Sequence, residues 1–286
     1  MGVLQTVWNH VREYLLFIVI VVCLTPLAGP RGEALWQGLM TAPLWRGDTH
    51  AAVLVVGSLA NCVLYWVCAG LLSLVDLGVC GRWIRERKLQ PKVSISVADT
   101  WRVVKVVLQN QVVSFVFSAF MIYVVFPWRG VQELAPFPSL GVTLRDLVVF
   151  ILAEEVVFYH AHRLLHHPLF YKRFHKLHHD FTAPFGWAAT YSSVLEQVAN
   201  LVAVFSGPTL MGSHALLLHL WSCFAIINTI NGHSGYDLFF MPCPRQHDWH
   251  HERWSENFGF LGVLDTWYGT NTRFLHSEKK RQAAAA

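Results

Sequence analysis

Three histidine words lie between residues 162 and 251: His162-x-x-x-His166, His175-x-x-His178-His179 and His247-x-x-His250-His251. His233 stands alone between the second and third. Seven of the chain's 16 histidines fall between residues 160 and 179. Imidazole is the commonest protein metal ligand and an indifferent helix former, so such a concentration points to metal rather than to packing. The spacing says more. Residues three and four apart share a helix face, so each word can present two rings together. Adjacent histidines diverge by about 100° on a helix. The two doublets can therefore serve two ions, or one ion from two sides. A structural zinc site is complete with four ligands, whereas nine imidazoles fit two ions with open positions. Ligand type does not select the metal, because neutral imidazole suits iron, zinc, copper and nickel. The Glu-x-x-His pairs of ferritin-like carboxylate sites are absent.

The elements that must hold these histidines read as membrane helices. The chain is 54% hydrophobic and 14% charged, where a soluble domain is about 25% charged. Apolar stretches at 51–77, 103–126 and 144–159, and a pair at 198–211 and 214–230, approach the length that spans a bilayer, about 20 residues. A further stretch at 14–27 follows Arg12 and Glu13, which do not make the basic start of a cleaved signal peptide. It is read as an uncleaved first membrane segment. Arg82, Arg85, Arg87, Lys88 and Lys92 crowd one loop between apolar stretches, and the net charge is +4. Basic residues beside apolar spans argue against nucleic-acid binding and place that loop in the cytosol. Stretches 103–126 and 144–159 then form a hairpin that returns His162–His179 to the same side. The pair 198–211 and 214–230 returns His233 and His247–His251 there as well. The expected fold is an all-α integral membrane protein with about four or more transmembrane helices, in two hairpins. A cytosol-facing helical cap of histidine words would hold a di-metal site. The six cysteines include no Cys-x-x-Cys and read as buried small apolar residues. A histidine-rich cap on a membrane bundle suits oxidation of lipid C–H bonds, which needs redox-active iron and oxygen and excludes zinc.

The words around the histidines carry a resemblance. His162-Arg-Leu-Leu-His166-His167-Pro168, Phe170-Tyr171-Lys172, the run His178 to Gly186, His233-Ser234-Gly235-Tyr236, and Leu264-Asp265 with Gly269-Thr270 resemble the fatty acid hydroxylase superfamily of membrane di-iron oxygenases. The sterol 4-methyl oxidases are the members most in view. Residues 258–269 and 207–214 and the pair Asn110-Gln111 are similar to an animal branch of that superfamily. The resemblance implies an endoplasmic-reticulum membrane di-iron monooxygenase. It would hydroxylate a sterol, a 4-methyl group being one candidate position, or a related lipid drawn from the bilayer. Its cofactors would be two ferrous ions, with O2 as co-substrate. No haem-binding His-Pro-Gly-Gly word is present, so electrons would come in trans from cytochrome b5 and its NAD(P)H-dependent reductase. Two alternatives stand beside this reading: a fatty-acyl or sphingolipid hydroxylase or desaturase on the same iron site, and a catalytically silent sterol-binding membrane regulator.

The expected ligands are His162, His166, His175, His178, His179, His233, His247, His250 and His251, with no catalytic group beyond them. Metal-bound histidines usually donate their second N–H to a carboxylate or carbonyl. Glu155, Asp248, Asp237 and Glu196 are the carboxylates expected behind the ligands. Tyr159, Trp187, Tyr191 and Trp249 are expected to line an apolar substrate channel. The domain reading is 1–100 for N-terminal membrane segments and the basic loop, 101–276 for the di-iron unit and 277–286 for a basic tail. One departure stands out. Relatives often carry Tyr-Ala-His-Pro-x-Glu where this chain has Tyr191-Ser192-Ser193-Val194-Leu195-Glu196. That touches substrate fit or a contact behind the ligands, and leaves the ligands themselves intact.

Overall fold

The computed structural model describes residues 29–77, 79, 82–131, 133–237 and 244–285. The stretch 14–27, expected as a first membrane segment, lies outside the described residues, as do Cys23, Cys80 and Cys243. Cys62, Cys68 and Cys223 are free thiols. Among the described residues the secondary structure is helical, with no strand and one isolated bridge between Lys88 and Tyr236.

A short helix α1 (Pro30–Met40) precedes the long ones. Each long helix begins where a side chain satisfies a backbone N–H that the helix cannot. Asp48 accepts from Ala51 N at 2.9 Å at the head of α2 (Thr49–Asp76). Ser96 accepts from Asp99 N at 3.0 Å before α3 (Val97–Trp128). Ser139 heads α4 (Leu140–Leu165). Ser193 accepts from Glu196 N at 3.3 Å to start α5 (Val194–Met211). The His214 ring accepts from Leu216 N at 3.1 Å to start α6 (Ala215–Gly232). Helices α2, α3, α5 and α6 are long and apolar enough to cross a membrane. The shortest have 18 residues and rise about 27 Å, close to the ~30 Å of bilayer hydrocarbon. Leu59, Val63, Val67 and Leu71 form an exposed apolar stripe on α2 at four-residue spacing. The chain is a multi-pass membrane protein.

The stretch 144–159 was expected as a crossing of the same kind. It is helical, within α4, but it is not one of the four apolar crossings. Arg145, Asp146, Glu154 and Glu155 interrupt it. Packing explains the charges. Asp146 is buried, where it accepts from Arg145 and from Ser213 Oγ at 2.6 Å. Glu155 is buried and accepts from two backbone N–H groups. The outer face still reads as lipid-compatible, with Val148, Leu152 and Val156 exposed at four-residue spacing. With 26 residues, α4 rises about 39 Å and runs the length of the bundle.

Going round the bundle, α4 lies along α5, α5 along α3, α3 beside α2 and α2 along α6. Phe150 on α4 meets Trp221 on α6 to close the ring. The α4–α5 approach requires Gly207, where any Cβ would collide with the Phe150 backbone. At one end of the bundle Arg129 donates to the carbonyls of Thr209 and Leu210, each at 2.8 Å. At the other, the basic loop docks on the histidine-bearing segments. Leu89 N donates to Gly235 O at 2.8 Å, Asp237 N to Arg87 O at 3.0 Å and Gln90 Nε2 to Thr182 O at 2.9 Å. The same end carries α7 (Arg245–Arg253), followed by α8 (Val263–Tyr268) and α9 (Thr272–Ala285).

Candidate metal centre

His162 sits in the last turn of α4 and His166 just beyond it. The chain then avoids a straight continuation. Pro168 starts one short turn, a π turn runs Tyr171–His175, and a 3-10 turn covers His178–Asp180. These changes of winding turn His175, His178 and His179 back toward His162. Helix α7 brings in His247, His250 and His251, and His233 ends α6.

All nine expected histidines converge, and they sort into two groups. His162, His166, His175, His179 and His250 form one; His178, His233, His247 and His251 form the other. Within each group the nitrogens lie within 4.8 Å of one another. Both doublets are split, with His178 and His251 in one group and His179 and His250 in the other. In the five-histidine group Nε2–Nε2 separations are 3.2 Å for His162–His175, 2.9 Å for His175–His166, 3.1 Å for His166–His250 and 3.0 Å for His179–His175. In the four-histidine group they are 3.3 Å for His233–His178, 3.0 Å for His247–His233 and 3.1 Å for His251–His247.

The opposite ring nitrogens fix the tautomers. Nδ1 of His162 donates to Phe258 O at 2.8 Å, that of His250 to Glu256 O at 2.7 Å, and that of His233 to Thr229 O at 2.8 Å. His251 Nδ1 donates to Phe181 O at 3.1 Å and His178 Nδ1 to Tyr191 O at 3.3 Å. A neutral imidazole has one N–H, so Nε2 of each of these rings is a bare lone pair. His233 and His178 thus point two lone pairs at each other, an arrangement that calls for a cation between them. Extra protons are poor candidates. Burial, then in most cases neighbouring imidazoles, lowers the pKa of His233 to about 4 and of His166 to about 2, and those of His178, His247, His250 and His251 well below the ordinary range. Metal–nitrogen bonds of about 2.1 Å place neighbouring donors about 3.0 Å apart in an octahedron and about 3.4 Å in a tetrahedron. The observed separations of 2.9–3.3 Å lie in that range or within 0.1 Å of it, so both groups fit metal ions.

The four expected carboxylates divide. Glu196, 2% exposed, reaches one ring of each group. Its Oε2 lies 2.9 Å from His175 Nδ1, close but poorly aligned for a hydrogen bond, and its Oε1 lies 3.7 Å from His178 Nδ1. Ser193, the residue that departs from the relatives' pattern, caps the helix carrying Glu196 and donates to Phe174 O at 2.6 Å. Glu155 touches no histidine. It accepts from Leu261 N at 2.9 Å and Leu264 N at 3.0 Å, and so holds the loop whose Phe258 carbonyl receives His162. Asp265 completes that loop, accepting from Phe258 N and Gly259 N at 2.8 and 2.7 Å. Asp248 faces away from the rings and accepts from Gln90 Nε2 at 3.1 Å. Asp237 is tied to Arg245 at 2.7 Å. The backbone carbonyls that orient five of the ligands left no mark in the sequence, since every residue has one.

A cavity of about 650 Å³ opens below the histidines, walled by α2, α3, α4, α5 and α6. His162, His178, His233 and His247 reach it, with Glu196 beside them. The four aromatic residues expected to line a channel do not. Tyr159 is fully buried, bonded to Thr270 and Arg163 and stacked on Tyr268. Trp187 packs on Tyr65 and Trp66 and donates to Ser73 Oγ. Tyr191 donates to Asp180 at 3.1 Å, and Trp249 to Glu256 at 3.2 Å. Each polar tip found a partner, in the cap or, for Trp187, on α2, and packing took the ring with it.

Residues 147–270 match the fatty acid hydroxylase family. The chain is 36% identical over 250 residues to fatty acid hydroxylase domain-containing protein 2 of Macaca fascicularis, an alignment covering 86% of this chain and 74% of that protein. The chain belongs to the fatty acid hydroxylase family. Within the family it is also 36% identical over 218 residues to fatty acid hydroxylase ahd1 of Mycosarcoma maydis, across 76% of this chain and 56% of that one. To methylsterol monooxygenase 1-3 of Arabidopsis thaliana it is 27% identical over 219 residues, covering 70% and 75%. No solved structure matches the chain. Membership in the fatty acid hydroxylase family makes the chain a member of a metal-dependent group of membrane lipid and sterol hydroxylases and oxidases.

Proposed function

We propose that this fatty acid hydroxylase family member is a di-iron monooxygenase of the endoplasmic reticulum membrane that hydroxylates a sterol or related lipid. The observation that carries the reading is the pair of histidine groups with bare Nε2 atoms, set at the top of a cavity inside the membrane helices. His162, His166, His175, His179 and His250 would hold one ion, and His178, His233, His247 and His251 the other. Two irons held there would supply the redox chemistry that O2 needs to oxidise an unactivated C–H bond. The protein supplies the rest. Carbonyls of Phe258, Glu256, Thr229, Phe181 and Tyr191 keep the ring protons on Nδ1 and the Nε2 lone pairs inward. Glu196 ties the two groups together from behind. The helices hold a lipid's apolar body and keep bulk water from the reacting carbon. A lipid moving from bilayer to cavity leaves no water behind, so shape and a few polar contacts must do the selecting. Electrons would come from cytochrome b5 and its reductase on the cytosolic side. The exposed cations Lys172, Arg173 and Lys176 on the histidine-bearing segment suit an acidic donor.

The test is reconstitution. Purified protein should carry close to two irons per chain and, with O2, cytochrome b5 and its reductase, convert lipid extract to hydroxylated products seen by mass spectrometry. Product formed without iron or without O2 would end the proposal. Altered acyl chains with untouched sterols would move the substrate to the acyl class. Tags in the 82–92 loop and after residue 276 should both be cytosolic, and one near Gly130 lumenal.

A further inference from the structure

Below the histidines the cavity wall is apolar except for Glu154, His219 and a belt of amides and hydroxyls on the membrane helices. Most of that belt is paired within itself. Asn61 Nδ2 donates to Ser222 Oγ and to Gly57 O, both at 3.0 Å, and Gln197 Nε2 donates to Ser114 Oγ at 2.9 Å. Among the described residues two buried groups of that belt lack a partner, the acceptor Asn110 Oδ1 and the donor Nε2 of Gln111 on α3. Gln111 Oε1 accepts from Trp66 Nε1 at 3.3 Å, with Cys62 Sγ at 3.8 Å. An indole can only donate, so the bond fixes the amide's orientation, with Oε1 toward Trp66 and Nε2 away from it. That Nε2 is buried and, among the described residues, has no hydrogen-bond partner, while its side chain lines the cavity. A buried amide donor without an acceptor is uncommon and destabilising, and more so where lipid replaces water.

The surroundings restrict what could answer it. No lysine or arginine lines the cavity, and Glu154 is on its wall. An anionic headgroup would find no lysine or arginine there and two carboxyl groups, Glu154 and Glu196, on the wall. Depth restricts the partner further. Glu154 is eight residues from His162 along α4, a rise of about 12 Å, and Ser222 precedes His233 by eleven residues of α6, about 16 Å. Gln111 meets α2 at Cys62, next to the Asn61–Ser222 pair. Its amide therefore sits on the order of 10–15 Å from the nearest histidines.

Given that the cavity holds the lipid substrate, we infer that Gln111 is a specificity-determining residue whose Nε2 donates to an uncharged oxygen of that lipid, remote from the carbon being oxidised. The substrate is then a neutral lipid with a hydroxyl, ether or carbonyl oxygen at one end and its oxidised carbon at the other. Trp66 is the positioning residue that keeps the amide's donor side turned away from its own indole.

Binding tests this without turnover. Cholestanol and cholestane differ by one hydroxyl, and their affinities for the detergent-purified, metal-loaded protein can be compared by displacement of a radiolabelled sterol. Wild type should prefer the alcohol by about tenfold, the worth of one buried hydrogen bond. Gln111→Met, close in size, should abolish the preference by weakening cholestanol alone, with iron content unchanged. Trp66→Phe should narrow it, because the amide is then free to turn. Equal binding of both sterols by wild type, or a preference that survives in Gln111→Met, overturns the inference. Should Gln111→Met fail to fold, the wild-type comparison and Trp66→Phe still decide. If neither sterol displaces the probe although iron is bound and a lipid is oxidised, the inference fails and the enzyme reading stands. If no lipid is oxidised, the reading beneath it fails as well. Any hydroxylated product of cholestanol should carry its new oxygen at the end of the molecule opposite the original hydroxyl.

Discussion

The five-histidine group and the four-histidine group are built from the same side chain but differ in what lies behind and before them. Behind the first stands a folded loop. Phe258 and Glu256 carbonyls hold His162 and His250, and Glu155 and Asp265 hold the loop in turn. Behind the second stand the ends of α6 and the 178–191 segment, through Thr229, Phe181 and Tyr191. Before them the contrast is sharper. Three of the four rings in the second group, His178, His233 and His247, reach the cavity, against His162 alone from the first. Ligand identity is therefore uninformative about the division of labour, and exposure to the cavity separates the two. The group with a fifth histidine is the enclosed one, and the group of four is the one that faces the cavity.

That contrast can be broken most directly by removing ligands. His247→Ala should empty the four-histidine site and abolish turnover, taking iron from about two to about one per chain by elemental analysis. His166→Ala leaves four imidazoles in its group, so iron content should stay nearer two. Equal loss in both variants would erase the distinction. Glu196→Gln should weaken both sites together by about 10–100-fold in metal affinity, the usual cost of losing an outer partner, because the carboxylate contacts one ring of each group. An effect confined to one site would show that only one of those contacts matters.

Acid should act on both groups with one sign. The buried rings have lowered pKa values, His233 at about 4, so the unfolded chain takes up protons first as pH falls below about 6.5. Stability conferred by neutral burial is complete above about pH 6.5 and is lost progressively as pH falls toward about 4. Bound metal should be released in the same direction, since protons compete for the same nitrogens. Thermal melts of metal-free protein that improve on acidification would contradict this. The smallest expected effect is that of Glu155→Gln. It should cost about 1–3 kcal/mol in stability through two weakened backbone contacts and lower occupancy of the five-histidine site alone, because Glu155 acts through Phe258.

How much of this was legible in the sequence depended on whether a residue's role is local. The nine histidines were, because helical spacing and chain reversals bring them together. The four apolar crossings were too, because lipid demands an unbroken run. Helix α4 is not a fifth apolar run because its charges are answered by residues far along the chain, Asp146 by Ser213 and Glu155 by the 261–264 backbone. Asp248 and Asp237 stand beside ligands in sequence, but helix rotation and Arg245 carry them outward. The aromatic residues named for the channel were chosen by closeness to the histidine words, whereas the cavity lies below, among α2, α3, α4, α5 and α6.

The order of the ligands along the chain has a consequence for biosynthesis. A polypeptide stopped before α7 has already inserted its four apolar crossings and holds four of the five nitrogens of the enclosed group, yet only two of the four in the group that meets the cavity. As the ribosome delivers α7, His250 adds a fifth ligand to a set that could already grip an ion, while His247 and His251 turn a pair into a site. A nascent chain could therefore hold its first ion early, whereas the proposed two-metal pair would be complete only once α7 has been delivered.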